Sequence, residues 1–214
     1  MIVGVLALVA VAAIAAALYF ALRGSSTNSS SSKSSSGGFE MRVAPAKDRQ
    51  YNRLPGVTKT KAPWGPGFVH LDDRLAPLGL QALSNEALAY HIHQHLDIFL
   101  NGRHLAVPEC IGIFGCYKQF VYLTELHTHL NDGVIHNESE TTKNYTLGQF
   151  FAEWGLFLDK RCVGGYCQGF KWYVNGKQQH GNPQDLVLKA HLEVVLAIGK
   201  QPTKIPSTYA WGNL

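Results

Sequence analysis

The sequence predicts an α+β protein: an N-terminal transmembrane helix, then a small domain in which an antiparallel or mixed sheet carries one packed helix. Residues 2–22 contain no charge and no proline. Two Asn-Gly dipeptides, Asn101-Gly102 and Asn175-Gly176, each stand between alternating apolar residues, which is the strongest short hairpin signal because both turn positions favour positive φ. TLGQFFAEWG, residues 146–155, has the spacing of an amphipathic helix.

At ~1.5 Å per residue, an apolar run of this length crosses a hydrocarbon core of ~30 Å. Residues 1–23 therefore read as a membrane anchor, and the missing basic stretch before them argues against a cleaved signal peptide. Arg23 follows the run, and the positive-inside tendency alone would hold the remainder in the cytoplasm. Three features oppose that placement. Residues 24–38 form a Ser-rich tether. Glycosylation sequons begin at Asn28, Asn137 and Asn144. The four cysteines form two local pairs, Cys110 with Cys116 and Cys162 with Cys167, as suits disulfides in an oxidising compartment. A four-cysteine zinc site is the rival, with gaps wider than the usual two-residue knuckle. The expected location is the cell membrane, single-pass, with the domain outside the cytoplasm. A net charge of +4 without a basic stripe excludes nucleic acid as a partner; the membrane and a metal ion are the partners expected, and no protein partner is specified.

Residues 39–89 lack a sustained period and read as an extended arm, with short helical turns where Ser84 would cap Asn85 to Leu88. Residues 90–200 read as the histidine-rich α+β domain and 201–214 as a tail. Alternation from Tyr90 puts Ile92, Leu96, Ile98 and Leu100 on a core face and His91, His93, His95 and Asp97 on a polar face. In the helix, Thr146 and Gln149 make a capping box, Leu147, Phe150, Phe151 and Trp154 share a core face, and Gly155 ends it. HLEVVLAIG closes the domain as a strand.

ELHTHLNDGVIHNES, residues 125–139, predicts a hairpin turning at Asp132-Gly133. A two-residue turn sets His129 opposite His136 and His127 opposite Glu138, gathering all four on one face, with Leu126, Leu130 and Ile135 on the other. Alternate residues on a strand are ~6.6 Å apart and those four apart ~13 Å, so one ion takes at most two of His91, His93 and His95. The bland alternative is a solvated sheet face. Two histidine clusters point instead to a metal site at His91, His93, His95, His127, His129, His136 and Glu138, for copper or zinc.

The succession HIHQHLDIFLNG, LHTHLNDGVIH and TLGQFFAEWG resembles uncharacterised membrane-anchored or secreted prokaryotic proteins that carry these blocks in this order. It implies the histidines as a set and no established activity; where an acidic residue often follows the second histidine of the middle block, this chain has Leu130. The carboxyl-terminal part is similar to the β-grasp domain of transcobalamin-like proteins, which implies a β-grasp-like topology. A cupin-like β-barrel is the alternative, since HIHQHLD supplies His-X-His and a carboxylate.

The function expected is metal capture, delivery or storage near the membrane. The alternatives are a hydrolytic or redox metalloenzyme with Glu138 or Glu125 as base, and an interaction module with a pH-sensitive histidine face. His70, His104, His180 and His191 read as surface or structural.

Overall fold

A computed structural model describes residues 50–86 and 89–214. The anchor, the tether with Asn28, the start of the arm, and positions 87 and 88 of the expected helical turn lie outside the described residues. Among the described residues, no helix is long and apolar enough to cross a membrane.

The fold is mixed α+β. Among the described residues ten strands form: β1 (Ala82–Leu83), β2 (Tyr90–Leu100), β3 (Arg103–Leu105), β4 (Ile113–Phe114), β5 (Tyr122–Thr124), β6 (Leu126–His127), β7 (Val134–Ser139), β8 (Lys171–Val174), β9 (Lys177–Gln179) and β10 (Glu193–Ile198). The α-helices among them are α1 (Leu71–Leu78) and α2 (Leu147–Trp154). The main sheet runs β6-β7-β2-β10-β8-β9. It stays open between its β6 and β9 edges and does not close into the alternative barrel. β1, β5 and β4 make a separate three-stranded sheet. β2 and β10 are parallel in the centre. The other edge of β2 is shared, by β7 along Tyr90 to His95 and by β3 along Ile98 to Leu100.

Both hairpin turns form as Asn-Gly requires, with φ of 52° and 80° at Asn101 and Gly102 and 49° and 76° at Asn175 and Gly176. α2 has its capping box: Gln149 N–H donates to Thr146 Oγ1 at 3.3 Å, and Thr146 N–H to Gln149 Oε1 at 2.9 Å. Leu147, Phe150, Phe151 and Trp154 are buried against Leu96, Ile98, Leu126, Ile135, Val194, Leu196 and Ile198 of the sheet. Two amides interrupt that apolar face, Gln94 and Asn137, both fully buried. The sequon at Asn137 is therefore not a usable glycan site in the folded chain, because its side chain points into the core. Asn144 is exposed. All four cysteines are bridged, Cys110 to Cys116 and Cys162 to Cys167, which leaves no thiolates for zinc.

Two expectations need correction. A helix forms not at Asn85, where Ser84 donates to the Asn85 side chain in a bend, but at Leu71–Leu78. There Leu71, Leu75 and Leu78 fall on one face, and Asp72 and Asp73 complement the helix N-terminus; Pro77 in its last turn hides it from a periodicity search. The described part of the arm packs on the domain. Arg74 is fully buried and donates to the carbonyls of Glu153, Pro55, Val69 and Gly67, joining the arm to the C-terminal end of α2, where a cation is favoured. Leu130 is 60 % exposed, because strand β6 ends before reaching it.

Removing the Phe150 ring should cost ~3–5 kcal/mol of unfolding free energy by leaving a cavity under the sheet, and Thr146→Ala ~1 kcal/mol by loss of the cap. Denaturant titration of the full-length chain checks both; equal losses would contradict this account of the core.

Candidate metal centre

The histidine face is built by register. His93 stands opposite His136 across β2 and β7, and His136 stands opposite His127 across β7 and β6. Three imidazoles thus form a row over adjacent strands, with His91 opposite Glu138 beside it. The pairing differs from the expected one: His127, not His129, faces His136. The reason is the length of the connection. After His127 the chain leaves β7, and Thr128 instead exchanges backbone hydrogen bonds with Cys110 and Ile111. It returns through Asp132, whose Oδ1 accepts from Val134 N–H at 3.0 Å, and through Gly133 at φ 85°. Gly133 lies flat on β2, its carbonyl accepting from Leu96 N–H at 2.9 Å, and an added Cβ would sit 2.4 Å from the Leu96 oxygen. The shift from the expected register is two residues, so parity survives and the same side chains still share one face.

Glu138 Oε1 lies at the centre, 3.1 Å from His91 Nε2, 3.5 Å from His136 Nδ1 and 3.6 Å from His127 Nε2. His91 Nε2 and His136 Nδ1 are 3.4 Å apart, and His127 Nε2 and His129 Nε2 are 3.1 Å apart. Donors bonded at ~2.0–2.1 Å around a tetrahedral ion are separated by ~3.3–3.4 Å. The triangle of His91, His136 and Glu138 has edges close to that value. Ligand atoms of His127, His129, His136 and Glu138 form one group within 4.8 Å, those of His91, His93 and His136 another, and His136 belongs to both.

Hydrogen bonding prepares the nitrogens. His127 Nδ1–H donates to the Thr124 carbonyl at 2.8 Å, which places the lone pair on Nε2, facing Glu138 and His129. His129 Nε2 also meets Glu86 Oε1 at 3.2 Å. His93 Nε2 is buried without a hydrogen-bond partner among the described residues. Burial, with repulsion from neighbouring imidazoles, pushes His127 down to about 3 and His93 to about 4, against the attraction of Glu138. His129 is lowered for the same reason. Burial alone would raise Glu138, but His136, His127 and His91 outweigh it and hold it below the usual carboxylate range. His93, His127 and His129 are thus held as neutral imidazoles beside an anionic Glu138.

His95 is not brought into this group. Its Nδ1 meets Glu193 Oε2 at 2.9 Å and its Nε2 meets the Asp132 carbonyl at 2.8 Å. Glu125 is also absent: it faces the opposite side, held by Lys143 and by Gln81 N–H. The polar face is not simply solvated. His93, His95 and Asp97 are each under a tenth exposed, and Tyr209 and Trp211 of the tail stack on His95 and His191. Of the histidines set aside, His104 has an unforeseen partner, Asp97, at 2.9 Å. Glu86 and Glu193 were not foreseen at all. Alternation in β10 puts Glu193 on the face opposite Val194 and Leu196, the one signal available, but its neighbour is set by a parallel pairing that no local motif announces. The chain matches no protein-family model, and comparisons with curated proteins and with solved structures give no match.

The folded-state depression of His93 and His127 has a definite sign. Between the ordinary 6.5 and their lowered values, the unfolded chain takes up protons that the folded chain refuses. Their contribution is present above 6.5 and lost as pH falls through about 4 and then about 3. The metal-free chain should therefore lose stability on acidification through that window, measured as a falling denaturation midpoint, and His127→Gln should flatten the slope. A midpoint that rises on acidification would contradict the assignment.

Proposed function

We propose that the chain is a membrane-anchored, extracytoplasmic protein whose β-grasp-like domain binds copper or zinc for capture, delivery or storage. The observation that carries this reading is the triangle of His91, His136 and Glu138, with edges of 3.1, 3.4 and 3.5 Å and with His127 Nε2 poised beside it. Imidazole-rich sites suit both ions, and intrinsic affinity favours copper(II). With only two methionines in the chain, a thioether-rich copper(I) site has no support. The central parallel strands with a helix packed across them support the β-grasp-like assignment. Placement outside the cytoplasm is supported by the bridging of every cysteine, and the apolar run of residues 2–22 supports the anchor. A hydrolytic role would need a base beside an open coordination position; Glu138 lies among the nitrogens themselves, which favours holding an ion over activating water on it.

Elemental analysis of the untagged full-length chain should find copper or zinc. A chain that stays empty after loading with either ion and buffer exchange would overturn the reading. Loss of a second-shell partner typically weakens metal binding ~10–100-fold, so removing a ligand by His127→Ala or His136→Ala should weaken it by at least ~100-fold, while the exposed His180→Ala should leave it unchanged, as read by competition with a chromophoric chelator.

A further inference from the structure

Beside the histidine-rich centre, on the same face of the sheet, His95, Asp97 and Glu193 form a separate enclosed group. All three are buried, and one ligand atom from each lies within 4.8 Å of the others. Glu193 comes from β10, directly opposite His95 in the parallel pairing with β2. Its side chain is 1 % exposed, and its Oε1 has no hydrogen-bond partner among the described residues. Tyr209 roofs the group, its ring stacked on His95 with centroids 4.0 Å apart. Asp97 is slightly exposed at the side, where Nε2 of the half-exposed His104 lies 2.9 Å from its Oδ1.

The imidazole orientation repeats the device seen at His127. His95 Nε2–H donates to the Asp132 carbonyl at 2.8 Å, which turns Nδ1 to Glu193 Oε2 at 2.9 Å. Contact between Nδ1 and a carboxylate oxygen at that distance is bridged by a positive species, either a proton or a metal ion. A proton on Nδ1 pairs Oε2 and leaves Oε1 with a second carboxylate as its neighbour. A divalent cation neutralises both carboxylates and gives Oε1 a partner. Crowding by Asp97 adds to burial in raising Glu193, against the pull of His95, which is the signature of two carboxylates forced together.

We propose that His95, Asp97 and Glu193 form a second divalent-cation site, carboxylate-rich and selective for a harder ion than the neighbouring imidazole cluster takes. One nitrogen and two carboxylates suit Mn²⁺ better than copper or zinc, because oxygen donors favour the harder ions. His95 is engaged by Glu193 and the Asp132 carbonyl while His93 stands opposite His136, so the two rings serve different ions along β2. The site does not depend on the histidine-rich centre being a metal site.

Mn²⁺ added to the metal-free full-length chain, followed by electron paramagnetic resonance, is the test. One Mn²⁺ should bind per chain, with electron spin-echo modulation from a single imidazole. Glu193→Gln and Asp97→Asn should each weaken binding by at least ~100-fold, as expected for loss of a ligand rather than of its ~10–100-fold second-shell support. His136→Ala, which damages the other centre, should leave Mn²⁺ binding unchanged. Absence of Mn²⁺ binding, undiminished binding in either carboxylate variant, or loss of Mn²⁺ in His136→Ala would overturn the proposal. If both carboxylate variants fail to fold, the wild-type spectrum decides: modulation from no imidazole, or from three, places the ion elsewhere. A chain that fails to take copper or zinc but holds Mn²⁺ in this way separates the two sites.

Discussion

Strand β2 is covered on both of its faces, and side-chain alternation along it decides what each covering must be. The face turned to α2 carries Leu96 and Ile98 and is satisfied by apolar packing. The other carries His91, His93, His95 and Asp97, which need polar partners once covered. Those partners come from chain segments far apart in sequence: Glu138 and His136 from β7, His127 from β6, Glu193 from β10. The architecture of the main sheet is in effect the means by which one polar face is enclosed without leaving its charges stranded.

Within that face, backbone carbonyls do the orienting. Thr124 holds His127 and Asp132 holds His95 by one ring nitrogen each, so the free nitrogen faces a carboxylate in both places. A main-chain oxygen is a stiff acceptor whose position is set by the fold, and it spares the site another ionisable side chain. Rings held in this way lose less freedom on meeting an ion. His136 differs: it sits in the middle of the row, within ring contact of His91, His93, His127 and His129, and is oriented chiefly by its neighbours.

What the sequence discloses follows the range of the interactions. Asn101-Gly102, Asn175-Gly176 and the Thr146 to Gln149 box are legible because their physics spans only a few residues. The histidine face is legible because alternation is a local property, and it survived a hairpin register wrong by two since two is the period of a strand. α1 was hidden by Pro77 and by its short length. The burial of Asn137 was hidden because a sequon pattern carries no information about which face of β7 it occupies in the sheet. Glu193 joins His95 through a parallel pairing across 98 residues of sequence, and distances of that kind are fixed by the whole fold. Leu130 followed the alternation on paper only; the strand ends at His127 because Thr128 finds other partners beside the Cys110 loop.

The position of β10 bears on synthesis. Among the described residues it is the last strand in chain order, yet it lies in the centre of the sheet, between β2 and β8. Until it emerges, a nascent chain presents β2 and β8 with unpaired edges, and β2 exposes its apolar residues and histidines together. Such edges invite pairing with other chains. Completion of the sheet therefore waits on a strand made long after β2, and the interval before β10 arrives is when the unpaired edges are most exposed to aggregation.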